Sequence, residues 1–185
     1  MNTRIFNQLI KKSGLKQELT EWKIFLEFCS VWLKKKRIKN PVVVELGILN
    51  NRQKAFYKQL FEAEHIGIDI STEQSIPDIQ GNTHDPMTLI ALKKKLLKRP
   101  IDILFIDASH AYDDARKDFE MYGPLCTGLV VLQSIETYRN TGRKSSQVWM
   151  LWDDLKQTYT EFPFISIFKR RSRGNQRGIG IIVKK

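Results

Sequence analysis

Val42, Val43, Val44 and Leu46 follow one another with no polar residue on alternate positions, and Gly47 closes the run. A strand with one wet face alternates apolar and polar side chains, so a continuous run of branched residues marks a strand covered on both faces. A second such run, Ile101, Ile103, Leu104, Phe105 and Ile106, stops at Asp107, with His110 and Tyr112 just beyond. A helical stretch follows, then Gly123-Pro124, then a third run from Gly128 to Leu132. Strands of this kind separated by helices require a mostly parallel α/β sheet, and such sheets place ligand chemistry where strands end and loops begin. Asp107 and His110 occupy such a place. The plainer reading makes Asp107 the cap of the next helix and His110 a surface loop residue.

The remaining segments fit that frame. Residues 1–12 read as a short helix broken at Ser13-Gly14, and residues 15–37 carry Leu15, Leu19, Trp22, Cys29 and Trp32 at helical spacing. Trp22 and Trp32 are expected in the core rather than as stacking platforms. Asn40-Pro41 ends the helix, because the residue before proline avoids helical geometry. Residues 51–62 form the next helix, with Ala55, Phe56, Leu60 and Phe61 inward, and a second strand ends at Asp69. Strand, glycine turn, helix, strand, acid is the unit that holds an adenosine-bearing cofactor, the acid receiving ribose hydroxyls. The three-glycine fingerprint is absent and no phosphate-loop lysine follows, so a pyrophosphate-free cofactor suits the turn better. Asn51 tolerates the positive φ that a tight turn there needs.

A short third strand and polar loop occupy residues 76–85. A helix over residues 86–98 follows, with Asp85 as its cap and Pro86 at its first position. Residues 141–146 form a polar loop before a helix over residues 147–160. The runs FPFISIF and GIGIIVK, separated by the basic segment KRRSRGNQR, read as an antiparallel pair, since parallel neighbours need a long crossover.

Composition bounds the partners. The chain of 185 residues has 42% hydrophobic and 28% charged residues, and no apolar run long enough to span a bilayer. No secretion signal opens it, and Cys29 and Cys126 lack a CxxC spacing, so two buried free thiols and a cytoplasmic address are expected. The net charge of +11 gathers at residues 34–39, 93–99 and 169–177. Basic blocks can hold phosphate backbones, but no aromatic-interleaved motif accompanies them, so nucleic acid is the less favoured partner.

The segments VELG (Val44 to Gly47), IGIDIS (Ile66 to Ser71), GNTHDP (Gly81 to Pro86), LFIDASHAYDDARKDFEMYGPL (Leu104 to Leu125) and GIGIIVK (Gly178 to Lys184) together resemble the class I S-adenosylmethionine-dependent methyltransferases. Within that class they are most similar to the cephalosporin hydroxylase-like branch, which contains sugar and natural-product O-methyltransferases. The resemblance implies a Rossmann-like, doubly wound, mostly parallel seven-stranded sheet of order 3-2-1-4-5-7-6 with strand 7 antiparallel. It covers residues 40–185, with residues 1–39 as an N-terminal helical extension of one structural domain. It implies cofactor contacts from Glu45, Gly47, Asp69, Asn82, Thr83 and Asp107, and a catalytic role for Asp107 and His110, the latter as base or substrate-orienting group.

Three departures qualify the resemblance. Gln133 and Ser134 stand where relatives carry the His-Asp pair whose acid helps bind a divalent cation, leaving Asp107 as the one remaining ligand. Ala108 and Asn51 replace glycines, and Asn82 replaces an acid. The resulting expectation is S-adenosylmethionine-dependent methylation of a small-molecule hydroxyl, without a full metal site. The alternatives are a degenerate fold that binds the cofactor or serves as a scaffold, and an RNA or DNA methyltransferase. Against the last stands the absence of the Asp/Asn-Pro-Pro-aromatic tetrad, since Asp107 is followed by Ala108, Ser109 and His110.

Overall fold

The computed structural model describes residues 1–139, 141, 145–169 and 177–184. Seven strands, β1 (Val42–Leu46), β2 (Glu64–Asp69), β3 (Ile79–Gln80), β4 (Ile101–Ile106), β5 (Cys126–Gln133), β6 (Phe164–Ile167) and β7 (Ile179–Val183), form one sheet in the order β3-β2-β1-β4-β5-β7-β6. β1 pairs in parallel with β2 and β4, Glu45 lying opposite Gly67 on one side and Phe105 on the other. β7 runs antiparallel to both β5 and β6, with Ile181 opposite Val131 and Ile165. The sheet, its order and its reversed strand are those expected.

Both faces of the sheet are covered, which is why its strands show no alternation. Val42, Val44, Leu46, Leu104, Ile106, Val130 and Leu132 pack against α4 (Pro86–Leu96), α5 (Tyr112–Tyr122) and α6 (Val148–Thr158). Their neighbours in register, Val43, Ile103, Phe105, Leu129 and Val131, face α1 (Thr3–Ser13), α2 (Leu19–Lys36) and α3 (Gln53–Phe61). Successive residues of a strand point to opposite faces, so each run supplies two cores at once. Trp22 and Trp32 are buried as expected, and Trp22 meets Phe56, Tyr57 and Phe105 edge-on at 5.8–5.9 Å between ring centres. Cys29 and Cys126 are free and buried, and burial pushes both thiols up, Cys126 to about 11.

Two boundaries differ from the sequence reading in ways that matter. The second helix begins at Leu19, not Leu15: Gly14 takes a left-handed conformation (φ 55°) and the Glu18 carboxylate accepts the Glu21 N–H at 2.8 Å, capping the helix. Leu15 and Leu19 share helical spacing by coincidence, and residues 14–18 form a connection instead. The third strand shrinks to Ile79–Gln80. The helix at residue 86 starts as expected, the Asp85 carboxylate accepting the Met87 N–H at 2.8 Å, and ends at Leu96.

The lysine clusters sit in the last turns of α2 (Lys34, Lys35, Lys36) and α4 (Lys93, Lys94, Lys95), where they complement the helix dipole. These helices run into β1 and β4, so both clusters lie at the amino edge of the parallel strands. The basic segment's Arg170, Arg171 and Arg173 lie outside the described residues, as do positions 142–144 of the expected polar loop. Among the described residues no helix is long and apolar enough to cross a membrane.

Candidate active site

At the opposite, carboxyl edge of the parallel strands a large cleft opens, about 1030 Å³ in volume. Ligand pockets span about 300–1,000 Å³, so this cleft stands at the large end of that range. Gly47, Asp69, Asn82, Thr83, Asp107, His110, Gln133 and Ser134 all line it. Of the residues expected to contact the cofactor or to act in catalysis, Glu45 is not among those lining it.

One end of the cleft is built by the turns after β1 and β2. Asp69 closes β2, and its Oδ2 accepts the N–H groups of Ile48 at 2.9 Å and Leu49 at 3.1 Å, while Oδ1 accepts Ser71 N–H at 2.9 Å. The acid therefore fixes the turn as well as facing the cleft. Gly47 has φ +80°, and a Cβ there would stand 2.5 Å from the Asp107 carbonyl oxygen and 2.6 Å from the Ala108 Cα. Glycine is required because two strand-end loops touch at this point. Leu49 and Asn51 also take positive φ, 46° and 55°, so Asn51 does the work expected of it. Across the cleft, the Asn82 Oδ1 accepts His84 N–H at 2.8 Å and the Thr83 carbonyl accepts the Tyr122 hydroxyl at 2.8 Å. Behind them, burial pushes the Asp118 carboxyl up, opposed by Thr83 and His84, whose Nε2 lies 3.3 Å from Asp118 Oδ1.

The other end is built around Asp107. The Gln17 side-chain Nε2–H donates to Asp107 Oδ2 at 3.0 Å, and His110 Nε2 lies 3.3 Å from Asp107 Oδ1. The helix-cap reading of Asp107 is thus wrong: α5 is preceded by Ala111 with no side-chain cap. An Nε2–H donated to Asp107 leaves His110 Nδ1 with its lone pair, and this side chain is 37% exposed at the cleft. Gln147 N–H donates to the His110 carbonyl at 2.7 Å, which ties the segment containing Ser145 and Ser146 to this wall. Beneath it lie polar atoms with no partner among the described residues: Gln133 Oε1, Thr137 Oγ1, Ser146 Oγ and Gln17 Oε1, all on residues at least nine-tenths buried.

Glu45 requires a correction of place. It is fully buried beneath the cleft, its Oε2 2.8 Å from His65 Nε2. Burial pushes its carboxyl up; His65 opposes this, and the nearby Asp107 and Asp69 add to it. Strand alternation turns its side chain to the face shared by Val43, His65 and Phe105, away from the cleft wall.

Gln17, Thr137, Ser146 and Lys16 are not singled out by the sequence, and Arg177 is marked there only as part of the basic block at residues 169–177. Lys16 and Gln17 sit in the connection that periodicity read as helix. Thr137, Ser146 and Arg177 fall in loops whose composition carries no motif. Among the described residues no group of three or more His, Cys, Asp or Glu side chains is placed to hold a metal ion. Hard cations want several carboxylate or carbonyl oxygens, and Asp107 instead meets two nitrogen groups.

No protein-family model and no curated protein matches this sequence. Solved structures do. The MycE methyltransferase of the mycinamycin biosynthetic pathway, crystallised with Mg, S-adenosylhomocysteine and mycinamycin VI, aligns over 98% of this chain with a TM-score of 0.64 and 16% identity. The chain spans about half (52%) of that protein's length. An O-methyltransferase from Bacillus cereus bound to S-adenosylhomocysteine aligns over 98% of this chain and 90% of its own, with a TM-score of 0.63 and 12% identity. TomG from Streptomyces achromogenes, an O-methyltransferase of tomaymycin synthesis bound to S-adenosylmethionine, aligns over 96% and 86%, with a TM-score of 0.62 and 12% identity. The fold is that of the class I S-adenosylmethionine-dependent methyltransferases. At these identities the likeness is one of fold, and the chemistry rests on the cleft.

Proposed function

We propose that the chain is an S-adenosylmethionine-dependent O-methyltransferase acting on a hydroxyl of a small molecule. The observation that carries the reading is the cleft's division into a finished, acid-closed turn at Gly47 and Asp69 and an Asp107–His110 pair at the adjoining strand end. Solved structures of the same fold, named above, hold S-adenosylmethionine or S-adenosylhomocysteine, and two of these proteins belong to mycinamycin and tomaymycin synthesis.

The residues present fit the cofactor. Asp69, already seated on three N–H groups, has lone pairs left to receive ribose hydroxyls. Asn82, Thr83 and His84 line the side of the cleft beyond it, where the base would rest. When bound, the cofactor supplies a methyl group on a positively charged sulfur, already activated for displacement. The chain's task is alignment and removal of one proton. Asp107 orients His110 so that Nδ1 faces away from it, free to accept the proton of the acceptor hydroxyl as that oxygen attacks. Gln17 fixes the second oxygen of Asp107, keeping the carboxylate plane and hence the imidazole in place. Asp107 and His110 are the catalytic residues of this reading, and Gln17 is a positioning residue. The donor set around Asp107 does not fit a divalent cation, and no step is routed through one.

His110→Asn tests the assignment. Incubation with methyl-labelled cofactor and a panel of hydroxylated acceptors should show transfer by the wild type and a loss of about 10²–10⁴-fold in the variant. Affinity for S-adenosylhomocysteine should hold within about twofold. Undiminished transfer by the variant contradicts the role given to His110.

A further inference from the structure

The geometry points to a binding site for an oxyanion at the Lys16–Arg177 side of the cleft: we propose that the acceptor is a hydroxyl-rich small molecule carrying a phosphate or carboxylate, held there by its charge. Calling the ligand an acceptor rests on the methyltransferase reading above; the oxyanion site itself does not.

Two observations carry this. The first is charge. The carboxylates lining the cleft are already engaged: Asp69 with backbone N–H groups, Asp107 with Gln17 and His110, and Asp114 with the Ser109 hydroxyl at 2.7 Å. The cations are not. Among the described residues neither Lys16 nor Arg177 forms an ion pair with a carboxylate, though both line the cleft. Arg177 donates through Nη1 to the Lys16 carbonyl, which joins the two segments and leaves the rest of the guanidinium fork to the cleft. A fork beside an ammonium matches phosphate or carboxylate geometry.

The second observation is the wall between those cations and His110. Glu136 N–H donates to the Arg177 carbonyl at 2.8 Å and Ser134 N–H to the Gly178 carbonyl at 2.9 Å, so the end of β5 is stitched to Arg177. This wall carries Gln133, Thr137 and Ser146, each with a buried oxygen that has no partner among the described residues. Leaving such a group unmade costs about 1–3 kcal/mol, and native proteins keep few of them. Hydroxyl rotors at Thr137 and Ser146 can turn toward a ligand that brings hydroxyl groups of its own. Lys16 is adjacent to Gln17, which touches Asp107, so an anion at Lys16 and Arg177 lies within one small molecule of His110.

The experiment uses the full chain saturated with S-adenosylhomocysteine and probes it with inorganic phosphate, acetate and, at matched ionic strength, chloride. Amide resonances of Gln17, Ser146 and Gly178 should shift saturably with phosphate, acetate or both, but not with chloride; which of the two binds tighter names the anion. Lys16→Met with Arg177→Met should weaken that binding about tenfold or more, while Arg177→Lys retains part of it. The affinity for S-adenosylhomocysteine should not change in these variants. Absence of a saturable shift with either anion, or shifts undiminished in the double variant, overturns the site. Anion binding in a wild-type chain that shows no affinity for S-adenosylhomocysteine supports the oxyanion site and overturns the methyltransferase reading instead.

Discussion

The two ends of the cleft differ in how complete they are. At the β1–β2 end the acid that closes the turn has its partners: Asp69 accepts three N–H groups, and Gly47 packs without space to spare against the loop of Asp107. At the β5 end, Gln133, Thr137 and Ser146 keep buried oxygens with no partner among the described residues. A satisfied network is rigid, and an unsatisfied one holds free energy that a ligand can release. In the proposed reading, the contrast separates a preformed cofactor end from an acceptor end that is completed on binding.

Substitutions can break that contrast. The largest effect belongs to Gly47→Ala, which forces a Cβ to 2.5 Å from a backbone oxygen at φ +80°. It should destabilise the chain by about 2–4 kcal/mol in chemical denaturation and abolish cofactor binding. A variant as stable as wild type removes the claim that the two loops are locked together.

Glu45 tests the same end through pH. Its folded carboxyl is raised by burial, so the stability it contributes is full below its ordinary value of 4.5 and is lost as pH rises through the higher folded value. Glu45→Gln keeps an acceptor for His65 and should flatten that part of the stability–pH curve. Identical curves for the two proteins contradict a carboxyl raised by burial. The smallest effect is expected from Ser146→Ala at the other end: a change within about 1 kcal/mol, on the stabilising side, because an orphaned hydroxyl is removed. A loss of several kcal/mol there places Ser146 in a satisfied network and erases the contrast.

The legibility of the two ends in the sequence follows the same line. Gly47 and Asp69 are visible because a backbone contact and a strand-end acid demand particular residue types at fixed places in a strand–turn–helix unit. The sheet is visible because Val42–Leu46 and Ile101–Ile106 must fill two cores at once. Asp107 and His110 are visible by the same strand-end logic, although the hydrogen bonds of Asp107 are not. Gln17 is invisible because its role depends on a connection brought beside β4 by tertiary packing, a contact 90 positions apart in the chain. Thr137, Ser146 and Arg177 share that fate, since hydroxyl and guanidinium groups in loops obey no period. Glu45 misleads for a related reason: its motif marks the right strand, while strand alternation turns its side chain to His65.

The central claim is that the turn closed by Asp69 holds S-adenosylmethionine. Titration calorimetry of S-adenosylhomocysteine into wild type and Asp69→Ala tests it most directly. The account predicts one-to-one binding to the wild type and a loss of about a hundredfold or more in the variant, which forfeits both the ribose acceptor and the order of the turn. Absence of binding to the folded wild type, or equal affinity in the two proteins, contradicts it.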